Sequence, residues 1–274
     1  MRTIKHILCI ALALLIAAKI ANTVYQGSTD KTEAPRIYCA EDLLAVSSQA
    51  TEMDLLQGMT ASDAQDGDLT KQIVVAGISK LISNNTAKVT YLVFDSDNNM
   101  GMYVRKIQYT DYEKPRFYLD PTKPLVFSSV EEISLLDRIT AIDMVDGNVT
   151  SRVRVSTLAN TNTDDNRVYD VTVQITNSLG DTAWLKLPVL ELPTDPNRPT
   201  LRLKEYLIYL NQGEAFDPSA YVGHCFNADG TILNAEDLTV SGQVNTSKPG
   251  EYRVTYTHAD SGSEGIAILT VVVM

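Results

Sequence analysis

The sequence predicts an all-β protein built from three small sandwich modules in tandem. Three observations lead to this prediction: a ten-residue stretch that occurs twice, a second marker with the same spacing, and short runs of alternating apolar residues between turn formers. A repeat of this length means that one small domain is used several times, in place of one large core. Function is therefore considered module by module.

The repeated stretch has the pattern Ala-x-Asp-x-x-Asp-Gly-x-x-Thr, and its two copies lie eighty residues apart, at 61–70 and 141–150. Pro35-Arg36-Ile37-Tyr38 and Pro115-Arg116-Phe117-Tyr118 have the same separation. A third start at Pro199 brings Asp229-Gly230 within one residue of the expected place. The predicted modules are 35–114, 115–192 and 199–274, here called modules one, two and three.

Apolar residues alternate along short segments such as Val89-Tyr91-Val93, Tyr169–Ile175 and Tyr252–Tyr256. Period-two alternation rich in Val, Ile, Thr and Tyr is typical of half-buried strands. Several such strands in units of this size, separated by turns, indicate antiparallel sandwiches of immunoglobulin type. Helical periodicity is absent after residue 30, although a short helical turn is expected around Ala235–Asp237.

Module three also resembles a known family, through Gly213–Pro218, Leu238–Thr246 and Pro249–Tyr256. These segments are similar to the bacterial immunoglobulin-like domain that is also described from pesticidal crystal proteins, and modules one and two resemble it through the repeated stretch. The resemblance covers residues 35–274. It implies a tandem array on an exported or surface-anchored protein, used as a stalk, an adhesin or a carbohydrate-associated accessory module.

The resemblance is weaker at the start of one strand. Module one has Ala87 where modules two and three have Tyr169 and Tyr252, and the preceding loops differ in all three. A common ligand for the three modules is therefore not expected.

The N-terminus has the composition of an export signal. Arg2 and Lys5 precede the apolar run Ile7–Ala18, which Lys19 interrupts. Cleavage requires small residues at fixed positions, and this pattern is weak; residues 1–25 are therefore predicted to be an uncleaved hydrophobic helix that anchors the protein in the cell membrane. The basic flank places the modules outside. The alternative is a cleaved signal peptide and a secreted protein.

Two segments are predicted to be linkers. Residues 26–34 are polar and suit a flexible tether. Residues 193–198 lie in a stretch with three prolines, which favours an extended, stiff connection between modules two and three. Together they predict an elongated rod.

Charge and cysteine content narrow the function. A net charge of −11 argues against a nucleic-acid partner, because phosphates require a basic surface. Cys39 and Cys225 belong to different modules, so a rod holds them too far apart for a disulfide, and both are predicted to be buried thiols.

The acidic residues of the repeated stretch have two interpretations. Carboxylates and amides spaced two to three residues apart in a loop can bind calcium. Alternatively, Asp-Gly forms a tight turn with the glycine at positive φ, and the aspartates bind backbone amides. The turn is favoured, and calcium stays a side hypothesis; no other cofactor is predicted. The candidate metal residues are Asp63, Asp66, Asp68, Asp143, Asp146 and Asn148.

No catalytic site is predicted. His224 and Cys225 are neighbours, but adjacent residues of a strand point to opposite faces. No nucleophile elbow, phosphate-binding glycine loop or His-x-x-x-His pair occurs. Trp184, the single tryptophan, is expected in a sandwich core in preference to a ligand platform. Tyr103, Tyr109, Tyr112 and Tyr118 are expected to pack between modules, with a partner surface as the alternative.

These inferences predict a non-enzymatic bacterial cell-surface protein with a structural or adhesive role. Its partners would be the membrane, through residues 1–25, and an extracellular protein or glycan. The second hypothesis is a secreted accessory protein that binds polysaccharide.

Overall fold

The computed structural model describes residues 34–83, 85–128, 134–157 and 167–274. The prediction of an all-β sandwich fold is confirmed for these residues. The hydrophobic helix predicted for residues 1–25 lies outside them. In the part of the chain that is described, no helix has the length and apolar character needed to cross a membrane.

Modules one and two each contain seven described strands, separated by turns. Module one also contains a one-turn helix, α1 (Glu52–Leu55). The strands of module one are β1 (Arg36–Cys39), β2 (Leu43–Val46), β3 (Met59–Asp63), β4 (Gly67–Asp68), β5 (Val74–Ile78), β6 (Thr86–Phe94) and β7 (Met100–Tyr109). Those of module two are β8 (Arg116–Leu119), β9 (Val126–Ser128), β10 (Ile139–Asp143), β11 (Gly147–Asn148), β12 (Arg154–Thr157), β13 (Arg167–Thr176) and β14 (Thr182–Leu192).

Module three contains six described strands, and its first segment makes only two isolated bridges, Thr200 with Phe226 and Leu203 with Val222. Its strands are β15 (Leu207–Leu210), β16 (Cys225–Phe226), β17 (Ile232–Leu233), β18 (Thr239–Ser241), β19 (Gly250–Asp260) and β20 (Ser263–Val273). The helical turn expected near residue 235 is present as a 3₁₀ turn, Ala235–Asp237.

Each module has a large sheet of four strands and a smaller one. The large sheets have the order β2-β7-β6-β5, β9-β14-β13-β12 and β15-β20-β19-β18. The prediction of purely antiparallel sheets is wrong at one edge, because β2, β9 and β15 each run parallel to the last strand of their module. In module one, only residues 40–42 separate β1 from β2. The chain changes sheets there, since β1 belongs to the small sheet and β2 to the large one.

Alternation places one face of each large sheet in an apolar core. In module one, Val89, Tyr91, Val93 and Ile107 are fully buried. The polar end of Tyr91 is satisfied, since its hydroxyl donates to the carbonyl of Leu55 at 2.7 Å. Module three repeats this contact, with Tyr256 donating to the carbonyl of Pro218 at 2.8 Å. In both modules a buried tyrosine thus ties a short helical turn to the sheet.

The helical turn of module one is stabilised at its start. Thr51 accepts from the amide of Asp54 at 3.3 Å, and the carboxylate of Asp54 accepts from the amide of Thr51 at 2.8 Å. This capping box satisfies amides that a helix start otherwise leaves unpaired.

The described residues form two compact units. The first ends at Glu113 and includes Ser178–Asp181; the second comprises Lys114–Asn177 and Thr182–Met274. Modules two and three therefore lie almost entirely within one unit, and their buried apolar side chains form one continuous cluster.

Side chains join modules two and three within the second unit. The amide of Phe117 donates to the hydroxyl of Tyr209 at 3.0 Å, and burial raises the pKa of Tyr209 to about 12. Arg253 forms an ion pair with Asp170. Leu190 and Leu192 of module two also form a small apolar cluster with Ile268 of module three. The prolines of residues 193–198 gave no indication of this packing.

Candidate functional site

The repeated acidic stretch forms the same turn in modules one and two. In module one, Asp63 Oδ1 accepts from the amides of Gln65 and Asp66 at 2.8 and 3.0 Å. These two bonds hold the pKa of the Asp63 carboxyl below its usual value. Asp68 accepts from the amide of Thr70 at 2.9 Å.

Module two repeats these contacts and adds others. Asp143 Oδ1 accepts from the amides of Val145 and Asp146 at 2.9 and 2.8 Å, and its second oxygen accepts from the side-chain amide of Asn177 at 3.0 Å. Asp143 is only 2% exposed, so these bonds replace water around a buried carboxylate. Asn148 accepts from the amide of Thr150 at 3.0 Å.

The threonine that ends the stretch completes it. The Thr70 hydroxyl accepts from the amide of Ala61 at 3.1 Å, and the Thr150 hydroxyl accepts from the amide of Ala141 at 2.9 Å. Gly67 and Gly147 have φ of 73° and 71°, as the turn interpretation predicts. Glycine adopts this region without steric penalty. Asp63, Gly67, Asp68 and Thr70, with their counterparts in module two, therefore each have a role in closing the turn.

Two contacts of the turn were not foreseen from the sequence. Asp66 accepts from the amide and hydroxyl of Ser96 at 2.7 and 2.9 Å, and Asp146 forms an ion pair with Arg152 at 2.8 Å. Ser96 lies thirty residues along the chain from Asp66, and no local pattern links them. The middle aspartates thus tie the turn to neighbouring segments instead of capping it.

Most side-chain oxygens of the candidate calcium ligands accept hydrogen bonds or an ion pair. Among the described residues, no three His, Cys, Asp or Glu side chains are arranged so that they could hold a metal ion. Calcium binding stays an untested side hypothesis, for which a solution measurement is given below.

His224 and Cys225 do not form a pair. His224 is exposed, whereas Cys225 is buried and its thiol donates to the carbonyl of Arg202 at 3.5 Å. Burial raises the pKa of the Cys225 thiol, which keeps it protonated and poorly nucleophilic. Cys39 is a free thiol like Cys225, but the prediction that it is buried is wrong: it is partly exposed.

Trp184 corrects the sequence interpretation most strongly. It lies on β14 with its side chain 61% exposed, so the expectation of a core position is wrong. The alternation of β14 explains the error, because Leu185 and Leu187 face the core and Trp184 lies on the opposite face with Lys186. An exposed tryptophan is available as a platform for a ligand.

The four tyrosines near residue 110 do not form one surface. Tyr109 and Tyr112 are buried in the first unit with ring centroids 6.2 Å apart, and Tyr103 donates to Asp42 at 3.0 Å. Tyr118 belongs to the second unit and lies 6.4 Å from Tyr209 of module three. Three of them have structural partners in the first unit, and the fourth contributes to the contact between modules two and three.

Comparison with known proteins agrees with the sequence resemblance. Residues 204–273 match the model of the family described as bacterial surface protein, Ig-like domain. The pesticidal crystal protein Cry22Aa from Bacillus thuringiensis is 32% identical over 126 residues, which is 45% of this chain and 16% of that protein. The predicted resemblance is confirmed by these two findings.

Similar solved structures share little sequence with this chain. Drosophila N-cadherin EC1-3 is 10% identical, with a TM-score of 0.31, over 90% of this chain and 91% of its own. Human CDH23 EC21-23 is 11% identical, with a TM-score of 0.22, and the match covers 87% of this chain and 100% of that one. The M60 catalytic domain with two CBM51 domains from Clostridium perfringens ZmpB is 11% identical, with a TM-score of 0.25. The match covers 87% of this chain and 30% of that one.

Proposed function

We propose that this protein is a non-enzymatic component of the bacterial cell surface, anchored by its N-terminal segment, with a structural or adhesive role. The match of residues 204–273 to bacterial surface Ig-like domains carries the proposal. The geometry agrees with it, because the polar groups of the repeated stretch satisfy the backbone of their own turn and the His224–Cys225 pair is separated.

The anchor rests on the sequence of residues 1–25. Twelve apolar residues, Ile7–Ala18, follow two basic ones, and residues 7–25 reach the ~20 residues that span a bilayer if Lys19 extends its ammonium towards the interface. The modules would then stand outside the membrane.

Fractionation of the native host tests the anchor. The full-length protein is expected in the membrane fraction, with an intact mass that includes residues 1–25. Replacing Lys19 with Leu lengthens the apolar run and should strengthen membrane retention. The matched control is Lys31→Leu, which removes the same charge outside the apolar run and should leave retention unchanged. Recovery in the culture supernatant, with an N-terminus near Gln26, would refute the anchor.

A secreted polysaccharide-binding protein is the second candidate. The exposure of Trp184 favours it, since a flat indole ring in solvent suits stacking against a sugar. The two candidates differ in whether the N-terminal segment is cleaved, which the same fractionation decides.

A further inference from the structure

Trp184 is one of three side chains that form a row across the outer face of the large sheet of module two. Arg154 of β12 pairs with Gln174 of β13, and Gln174 pairs with Trp184 of β14. Side chains at directly paired positions lie on the same face, and all three are exposed. With strands ~4.8 Å apart, the row is about 10 Å long, which is close to the length of a disaccharide.

The row borders a cleft of about 450 Å³. Gln174 and Arg154 line both the row and the cleft, whose other lining residues are Ser151, Arg152, Val153 and Thr176. The cleft is thus lined by hydroxyl, amide and guanidinium groups, and a single large aromatic ring stands beside it. Hydroxyl and amide side chains hydrogen-bond sugar hydroxyls, while the indole ring packs against the apolar face of a pyranose.

The three strand segments around the row carry basic residues and no acidic ones. Residues 151–156, 172–176 and 182–186 contain Arg152, Arg154 and Lys186 and no acidic residue, although the net charge of the protein is −11. Arg152 already pairs with Asp146, and the backbone amide of Lys186 donates to the carboxylate of Glu251 at 3.3 Å, which brings an acidic group beside that lysine. Arg154, which is exposed, is therefore the cation that remains for a ligand. An Arg guanidinium binds a carboxylate through two parallel hydrogen bonds.

The row belongs to module two and is not a property of the repeat. The corresponding positions are Val74, Leu92 and Met102 in module one, and Thr239, Thr257 and Ile266 in module three. Neither set combines a basic, an amide and an aromatic side chain. Met102 is 60% exposed, so module one has an exposed side chain at the position of Trp184, but it is a methionine and not an aromatic ring.

From these observations we infer that the outer face around Trp184, Gln174 and Arg154 binds an acidic polysaccharide that carries carboxylate groups. A protein partner fits less well, because a protein interface buries several apolar side chains at its centre, and Trp184 is the one large aromatic among the described residues of this face. The inference rests on the polysaccharide binding of the second candidate and adds the class of polysaccharide and the residues that bind it; it holds for an anchored or a secreted form.

Because the chain has one tryptophan, its fluorescence reports on this site directly. Oligomers of galacturonic acid titrated into the full-length protein should change the tryptophan emission saturably, and the affinity should fall with added salt as the ion pairs are screened. Neutral dextran of the same length should leave the emission unchanged. No saturable change with the uronic acid oligomers, or an equal change with dextran, would overturn the inference.

Calorimetric titration then compares variants, since it does not depend on the tryptophan. Trp184→Ala should weaken binding about tenfold through loss of the stacked ring, and Arg154→Gln about tenfold through loss of a charge-assisted bond. The control Met102→Ala removes an exposed side chain at the matching position of module one and should leave the affinity unchanged.

Unaltered binding by Trp184→Ala, with a wild-type melting temperature, would contradict the proposed site. So would tighter binding of an oligothymidylate than of the uronic acid oligomer, which would indicate a nucleic-acid site. Cell fractionation does not enter this test, so its outcome and that of the anchor proposal are independent.

Discussion

At the scale of single residues, two glycines allow the prolines that open modules one and three to pack closely. A Cβ atom on Gly101 would lie 2.1 Å from the carbonyl oxygen of Pro35, and one on Gly265 would lie 2.5 Å from that of Pro199. The prolines were recognisable in the sequence as module starts. Their glycine partners, more than sixty residues away, were not.

Replacing Gly101 with Ala should destabilise module one by about 1–3 kcal/mol, the usual cost of forcing extra atoms into a packed site. The control is Gly77→Ala in β5, where the added methyl group meets no atom within 4 Å. Urea denaturation of the full-length protein measures both. Equal effects of the two substitutions would show that the close approach to Pro35 has no energetic importance.

The turn glycines permit a second residue-scale prediction. Gly67 and Gly147 adopt φ near +70° with open space around them, so alanine there meets backbone strain alone. Each Gly→Ala substitution should cost roughly 1 kcal/mol of unfolding free energy. A stability equal to that of the wild type, from the same denaturation curves, would contradict the turn as the reason for the glycine.

At the scale of elements, short helical turns are fixed to the sheets by buried tyrosines. Tyr91 and Tyr256 occupy corresponding positions of β6 and β19, and each hydroxyl binds a carbonyl of the turn that precedes β3 or β16. Module two has Val173 at this position. The alternating pattern predicted that these residues are buried, but the hydrogen bond depends on a segment 36 to 38 residues away.

Tyr91→Phe and Tyr256→Phe should each lower the unfolding free energy by about 1 kcal/mol, because the ring stays packed and one buried carbonyl loses its donor. Tyr38, half exposed on β1, supplies the control. Tyr38→Phe should change stability little. Thermal and urea unfolding of the three variants compare these effects. A loss of unfolding free energy in Tyr38→Phe alone would contradict the stabilising role of the two buried hydroxyl groups.

The acidic turns lead to a prediction about calcium. Asp63 and Asp143 each accept two backbone amides, which accounts for their presence without a metal ion. Millimolar calcium should therefore leave the melting temperature of the EDTA-treated protein unchanged. A site in the folded state would instead stabilise it by ~2.7 kcal/mol at a hundredfold excess over its dissociation constant.

A rise of several degrees that disappears in the Asp63→Asn, Asp143→Asn double variant would establish a calcium site in modules one and two. Ion-dependent adhesion would then become the leading function.

At the scale of the whole molecule, the sequence predicted features that depend on neighbouring residues and missed features that depend on residues far apart in the chain. The repeated stretch and the alternating runs predicted the modules' β-strands and the positive φ of Gly67 and Gly147, because these depend on neighbouring residues. They did not predict the parallel edge strands, which depend on how the chain crosses between sheets. They also did not predict the packing of modules two and three through Tyr209 and Arg253.

Trp184 shows the same limit for the candidate site. A large aromatic among apolar residues suggests burial, whereas the alternation of β14 places Trp184 on the outer face. Only the pairing register of β12, β13 and β14 shows that it lies beside Gln174 and in one row with Arg154. The ligand hypothesis therefore depends on the fold and could not be derived from the sequence of β14 alone.

Surface labelling of intact cells tests the central claim most directly. The host is treated with a membrane-impermeant, amine-reactive reagent, and the protein is then isolated and mapped by mass spectrometry. We expect label on exposed lysines of the modules, such as Lys186, while a cytoplasmic control protein stays unlabelled. Protection of every module lysine in intact cells, with labelling only after lysis, would place the protein inside the cell and contradict a cell-surface role.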